Sequence, residues 1–270
     1  MSSFSTFSPK RAISALVITI ILSACGGGGG GNSEPGAGTQ TDALASKTGK
    51  PAKGSSASPV DRPSSEIPAE QTDRNEPLQA LTIDYYGDST IWGYESGTGA
   101  RVATPAPAAF AAALPTPSRH TVRNEGVNST DACQLLNGQD GQHPAWDTQM
   151  ASSNADIVII NHAINDQWRM SVDQYKSCLT SLAVKAKAHG KKIVFETPNP
   201  TLNDMSAYMN AMKAVAAQQG VPVIDQYSYL LNYLDGKSPY TICPDGLHPT
   251  DEVYVLKGKY AAKVFASLNY

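Results

Sequence analysis

Asp156-Ile157-Val158-Ile159-Ile160-Asn161 decides the fold of this chain. Four consecutive β-branched residues favour extended backbone. Their unbroken apolarity means that both faces of the strand are covered, as in the centre of a parallel sheet. Outward from it, similar β-rich runs occur at Leu81 to Tyr86, His120 to Arg123, Lys192 to Thr197 and Val221 to Ile224. Helix formers at helical spacing fill Ala106 to Leu114, Ser171 to His189, Asn203 to Gln219 and Thr250 to Leu268, the last capped at Thr250 or Asp251. Strands alternating with helices predict an α/β domain with a five-stranded parallel sheet covered on both faces.

In such sheets the ligand crevice lies beyond the carboxyl ends of the strands, where strand order reverses. Three polar motifs fall there: Gly87-Asp88-Ser89 after the first strand, Asn124-Glu125-Gly126 after the second, and Asn165-Asp166 after the third. A fourth, Asp245-Gly246-Leu247-His248, precedes the closing helix. Serine is a poor nucleophile until an imidazole takes its proton, and a carboxylate commonly fixes the tautomer of that imidazole. Ser89, His248 and Asp245 supply this set, the Asp three residues before the His and within reach of its ring in a tight turn. Each motif alone has a plainer reading as turn or cap chemistry. Their joint order at strand ends favours catalysis. His162 is the runner-up base, read as a core or pocket-lining residue. His120, His143 and His189 read as strand, loop and helix end with no constellation around them.

With these four blocks the sequence resembles the SGNH (GDSL-like) hydrolases, from the nucleophile block at Ser89 to the Asp-x-x-His block at Asp245 and His248. It departs at the third block, which opens with Ala163 where the family has glycine. The resemblance implies a flavodoxin-like three-layer sandwich and an ester hydrolase with no cofactor. It assigns the oxyanion donors to the Ser89 backbone, the Gly126 backbone and the Asn165 side-chain amide. Trp92, Tyr94 and Trp168, which follow the first and third blocks, are candidates to wall the substrate pocket.

The ends of the chain bound the setting. Residues 1–25 read as an export signal, with Lys10 and Arg11 ahead of an apolar Ala12 to Leu22 too short to span a bilayer. Leu22-Ser23-Ala24-Cys25 resembles a bacterial lipobox, which makes Cys25 the lipidation site and the bacterial cell envelope the location. Gly26 in place of Asp favours the outer membrane. Residues 26–78, rich in Gly, Ser and Pro, are expected to be a tether with a root-mean-square span of roughly 40 Å, leaving residues 79–270 as one catalytic domain.

The formal charge of −3, which becomes −5 without Lys10 and Arg11, gives no footprint for nucleic acid. No zinc spacing is present, so no metal is expected. Cys133, Cys178 and Cys243 permit one disulfide in an oxidising compartment, and all three pairings stay open. A bridge to Cys243 would brace the loop of Asp245. The expected partner is an acyl ester, with O-acetylated glycan beside a tethered envelope enzyme the favoured case, and the expected state is a monomer. Lysophospholipid and aryl esters, acyl transfer by the same residues, and a non-catalytic glycan- or peptide-binding module are the alternatives.

Overall fold

The computed structural model describes residues 79–270; the signal, Cys25 and the tether lie outside these residues. Five strands, β1 (Thr82–Gly87), β2 (Thr121–Gly126), β3 (Ile157–Asn161), β4 (Lys192–Glu196) and β5 (Val223–Ile224), form one sheet in the order β2-β1-β3-β4-β5. Every neighbouring pair is parallel. Between and after them run α1 (Ser89–Trp92), α2 (Ala106–Ala113), α3 (Ala132–Asn137), α4 (Trp146–Ser152), α5 (Asp166–Arg169), α6 (Val172–Ala188), α7 (Ser206–Gln219), α8 (Gln226–Leu234) and α9 (Asp251–Ala266).

The period of two along each strand divides the core. Ile83, Tyr85, Ile157, Ile159, Val194 and Ile224 face α2 and α9, where Phe110, Leu114, Ala261 and Phe265 meet them. Tyr86, Val158, Ile160, Ile193 and Phe195 face the other way, onto α3, α4, α6 and α7. All five residues of β3 are buried, as its apolar run requires. At roughly 1.5–3 kcal/mol for each fully buried aliphatic side chain, this strand is the main anchor of both layers. The result is the expected five-stranded three-layer sandwich.

Two strand boundaries differ from the sequence reading by more than one residue, and α7 begins at Ser206 where a helix from Asn203 was expected. Asn124-Glu125-Gly126, expected in a loop, is the end of β2, paired with Tyr85-Tyr86-Gly87. β5 contracts to two residues because it pairs with Phe195 and Glu196 alone. Cys133 and Cys178 form the disulfide and join α3 to α6. Cys243 is buried and unbridged, so the Asp245 loop carries no covalent brace.

Candidate active site

Strand order places β2 on one side of β1 and β3 on the other, so the chain leaves β1 and β3 in opposite directions and opens a crevice at their carboxyl ends. Ser89 sits there as the first residue of α1. Asp88 caps that helix, its Oδ1 accepting from the Thr90 backbone N–H at 2.8 Å and the Thr90 hydroxyl at 2.9 Å. The cap fixes the turn from strand to helix that presents Ser89. As the first helical residue, Ser89 has an N–H with no partner inside the helix.

The His248 Nε2 lies 2.9 Å from Ser89 Oγ. Its Nδ1 lies 2.7 Å from Asp245 Oδ2. A carboxylate can only accept, so Nδ1 carries the proton and Nε2 is left to accept from the Ser89 hydroxyl. Asp245 Oδ1 also accepts the backbone N–H groups of Leu247 at 2.9 Å and His248 at 2.7 Å. Gly246, at φ 81°, makes the tight turn that lets one carboxylate serve both backbone and ring. Partial burial works against the charge of Asp245, but the bonds from the His248 ring and the two backbone groups outweigh it and hold its carboxyl below the usual range.

The same local device occurs a second time, where the sequence reading found nothing. In Asp140-Gly141-Gln142-His143, Asp140 Oδ1 accepts from the backbone of Gln142 and His143, the imidazole Nδ1 lies 2.7 Å from Oδ2, and Gly141 has φ 84°. Spacing alone therefore builds an aspartate–histidine pair. What faces Nε2 differs: at His143 it is Glu125 Oε2, at 3.1 Å, and at His248 it is a serine.

Asn165 does not cap α5 with its side chain. Its Nδ2 donates to the Thr130 carbonyl at 2.9 Å and lies 3.5 Å from Asp88 Oδ2, which ties the loops after β1, β2 and β3 together. Ala163, in place of the family's glycine, is fully buried in the core. The Gly126 N–H, expected to face an oxyanion, donates to Asn124 Oδ1 at 3.0 Å. A Cβ at Gly126 would fall 2.3 Å from Trp92 N and 2.8 Å from the Ile91 carbonyl carbon. Gly126 is thus the place where β2 passes directly under α1, a packing requirement of the helix that carries Ser89.

Of the wall candidates, Tyr94 lies against the His248 imidazole, with ring centroids 4.4 Å apart. Trp92 lies one step out, 6.5 Å from Tyr94, and the Arg101 guanidinium sits over it. Trp168 is 66% exposed on α5. Leu202 and Tyr240, exposed like Trp168, flank Gly246 in the Asp245 turn. The sequence reading passed over both because they lie in separate loops.

His162 is buried under the site with no partner on Nδ1, and burial lowers its pKa. The hydrogen-bond partner of Ser89 Oγ is His248 and not His162. Asp166, the first residue of α5, is also buried, pushed up to about 8 by burial and by Asp131 and Asp88, and accepts from the Ala132 backbone at 2.9 Å. Among the described residues no group of three or more His, Cys, Asp or Glu could hold a metal ion.

A parallel three-layer α/β sandwich with serine, histidine and aspartate linked in sequence at the sheet's carboxyl edge defines the class of serine hydrolases. Residues 85–256 match the model of the GDSL-like lipase/acylhydrolase family, and the chain belongs to that family. It is an SGNH/GDSL-type hydrolase acting on ester bonds. Similar solved structures include the acetylxylan esterase Axe2 of Geobacillus stearothermophilus, at 21% identity and TM-score 0.57 over 71% of this chain and 94% of that one. LAE5, an α/β hydrolase from the metagenome of Lake Arreo in Spain, aligns at 20% identity and TM-score 0.52 over 71% and 95%. A protein assigned to the G-D-S-L lipolytic family from Desulfitobacterium hafniense aligns at 18% identity and TM-score 0.54 over 68% and 99%. At these identities the likeness is one of fold. No curated protein matches the chain.

Proposed function

We propose that the protein is a serine esterase that removes short acyl groups, acetyl above all, from glycans of the bacterial cell envelope, to which Cys25 anchors it. The observation that carries the catalytic part is the chain Ser89 Oγ to His248 Nε2 to Asp245, at 2.9 and 2.7 Å. His248 takes the Ser89 proton as Oγ attacks the ester carbonyl. It then gives that proton to the leaving alcohol, and an acyl-enzyme remains. Water, deprotonated by the same Nε2, attacks the acyl-enzyme and releases the acid. Negative charge on the tetrahedral oxygen is met by the Ser89 N–H and by the second Nδ2 hydrogen of Asn165, which exchanges its long 3.5 Å bond to Asp88 Oδ2 for the oxyanion, each donor worth ~10²–10³ in turnover.

Two observations support the glycan. Exposed Trp168 and Tyr240, with Tyr94 at the imidazole, offer flat faces on which sugar rings stack. The fold is shared with an acetylxylan esterase, although at low identity. Hydrolysis of p-nitrophenyl esters of increasing acyl length, beside Ser89→Ala, tests the reading, followed by acetate release from acetylated xylan and O-acetylated peptidoglycan. Activity that depends on Ser89 and falls with chain length is expected. Activity that rises with chain length would move the substrate to lipids, and equal rates in both proteins would refute the esterase. For the anchor, Cys25→Ser should shift the protein from the detergent phase to the aqueous phase.

A further inference from the structure

Helix α9 buries an apolar face made of Val253, Tyr254, Gly258, Ala261, Ala262 and Phe265, and one lysine lies within it. Lys257 is fully buried. A buried ammonium without partners costs several kcal/mol even after relaxation, so the partners explain its presence. Its Nζ donates to Asn199 Oδ1 at 3.0 Å. The Glu196 carboxylate is its main electrostatic counterweight, offsetting part of the burial that lowers the lysine's pKa. Glu196 is itself held by the Tyr85 hydroxyl and by Asn161 Nδ2.

The consequence lies on the far side of Asn199. An ammonium can only donate, so it fixes the asparagine amide with its oxygen toward Lys257 and its nitrogen away. That nitrogen donates to the Leu247 carbonyl at 3.0 Å, and Leu247 immediately precedes His248. One turn earlier on the same face of α9, the Tyr254 hydroxyl donates to the Tyr94 carbonyl at 2.9 Å. Tyr94 is the residue whose ring lies against the His248 imidazole. Two arms from one helix therefore converge on the same imidazole, through its backbone and through its ring face. Asp245 fixes the ring from a third direction, but Asp245 belongs to the same loop as His248 and cannot by itself hold that loop to the sheet.

We propose that Tyr254 and Lys257 are positioning residues for the general base, holding His248 at hydrogen-bonding distance from Ser89 through Tyr94 and through Asn199 and Leu247. This rests on the reading of His248 as base given above. A displacement of the base by about 1 Å can cost as much as 10²-fold in rate.

Tyr254→Phe, which keeps the ring, and Lys257→Met, which keeps the length, test it in the full chain with p-nitrophenyl acetate. Both should lower kcat by about tenfold or more with KM nearly unchanged. Both should also move or broaden the downfield proton resonance of His248 Nδ1. If Lys257→Met does not fold, Lys257→Met with Glu196→Gln removes both buried charges and takes its place. Wild-type kcat and an unmoved Nδ1 resonance in folded variants would overturn the proposal. So would a loss of rate matched by an equal loss of fluorophosphonate-titratable sites. If wild-type turnover persists in Ser89→Ala, the esterase reading fails instead, and the Nδ1 resonance alone decides the positioning role.

Discussion

Gly126→Ala separates packing from catalysis at the nucleophile, because alanine keeps the backbone N–H and adds only a methyl group. In the present backbone that methyl would sit 2.3 Å from Trp92 N and 2.8 Å from the Ile91 carbonyl carbon, against 3.4 Å for ordinary contact. The obstacle is backbone, so no rotamer change relieves it. Either α1 rises or β2 sinks by about 1 Å. β2 is fixed by its ladder to β1, up to the Gly87 and Gly126 pair. α1 is a single turn held by the Asp88 cap, so it is the element that yields. Ser89 is its first residue and moves with it. A 1 Å displacement of the nucleophile corresponds to a loss on the order of 10²-fold in kcat. Overpacking of this kind destabilises by about 1–3 kcal/mol, a few degrees to about 10 °C in melting temperature for a domain of this size. Steady-state kinetics on p-nitrophenyl acetate and calorimetry of the same preparation measure both. A folded Gly126→Ala protein with kcat within twofold of wild type would refute the claim that this contact sets the position of Ser89.

Asn165→Ala should lower kcat by ~10²-fold or more with little change in KM, and an unchanged kcat would remove Asn165 from the oxyanion site. The Cys133–Cys178 bridge spans 45 residues, so replacing both cysteines by alanine should cost about 4 kcal/mol in urea unfolding, and a difference below 1 kcal/mol would contradict that. At His143, burial lowers the imidazole pKa, but the bonds to Glu125 and Asp140 outweigh it and the folded value is raised. The bond from His143 lowers that of Glu125, while Asp140 is lowered by bonds from the His143 and Gln142 backbone and the His143 ring against an opposing burial. A raised imidazole stabilises fully below its unfolded value and loses this as pH climbs through the folded one, whereas the two depressed carboxyls contribute above their unfolded values and fade as pH falls. The stability gap between wild type and His143→Gln should therefore peak at about pH 5–6 and shrink on either side, and a pH-independent gap in thermal melts would refute a charged His143 held between Asp140 and Glu125.

The elements legible in the sequence were those whose pattern is long or chemically extreme. β3 announces itself by four β-branched residues, and α2, α6, α7 and α9 by several turns of helix formers. The short helices α1, α3, α4 and α5 did not, because four to seven residues carry too little periodicity. Caps define two of them: Asp88 for α1, and Asp131 with Gln134 for α3. Ser89, Asp245 and His248 were readable as local motifs at element boundaries. The packing role of Gly126 was not legible, because its close neighbour, Trp92, comes from another strand's helix and cannot be inferred from local spacing. Lys257 and Asn199 are 58 residues apart, so their pairing needed the fold. The lysine alone left a trace, as a charge inside the apolar stripe of α9. For His143 the trace was plainer: Asp140-Gly141-Gln142-His143 repeats the Asp-Gly-x-His pattern of residues 245–248, but its third partner, Glu125, arrives from β2.

The central claim is that the Ser89 hydroxyl is activated by His248. Fluorophosphonate labelling of wild type, Ser89→Ala and His248→Ala, read by peptide mass spectrometry, tests it most directly. The account predicts one adduct on Ser89 in wild type, none in Ser89→Ala, and labelling slowed by at least ~10²-fold in His248→Ala. An adduct on another residue, or equal labelling rates in wild type and His248→Ala, would contradict it.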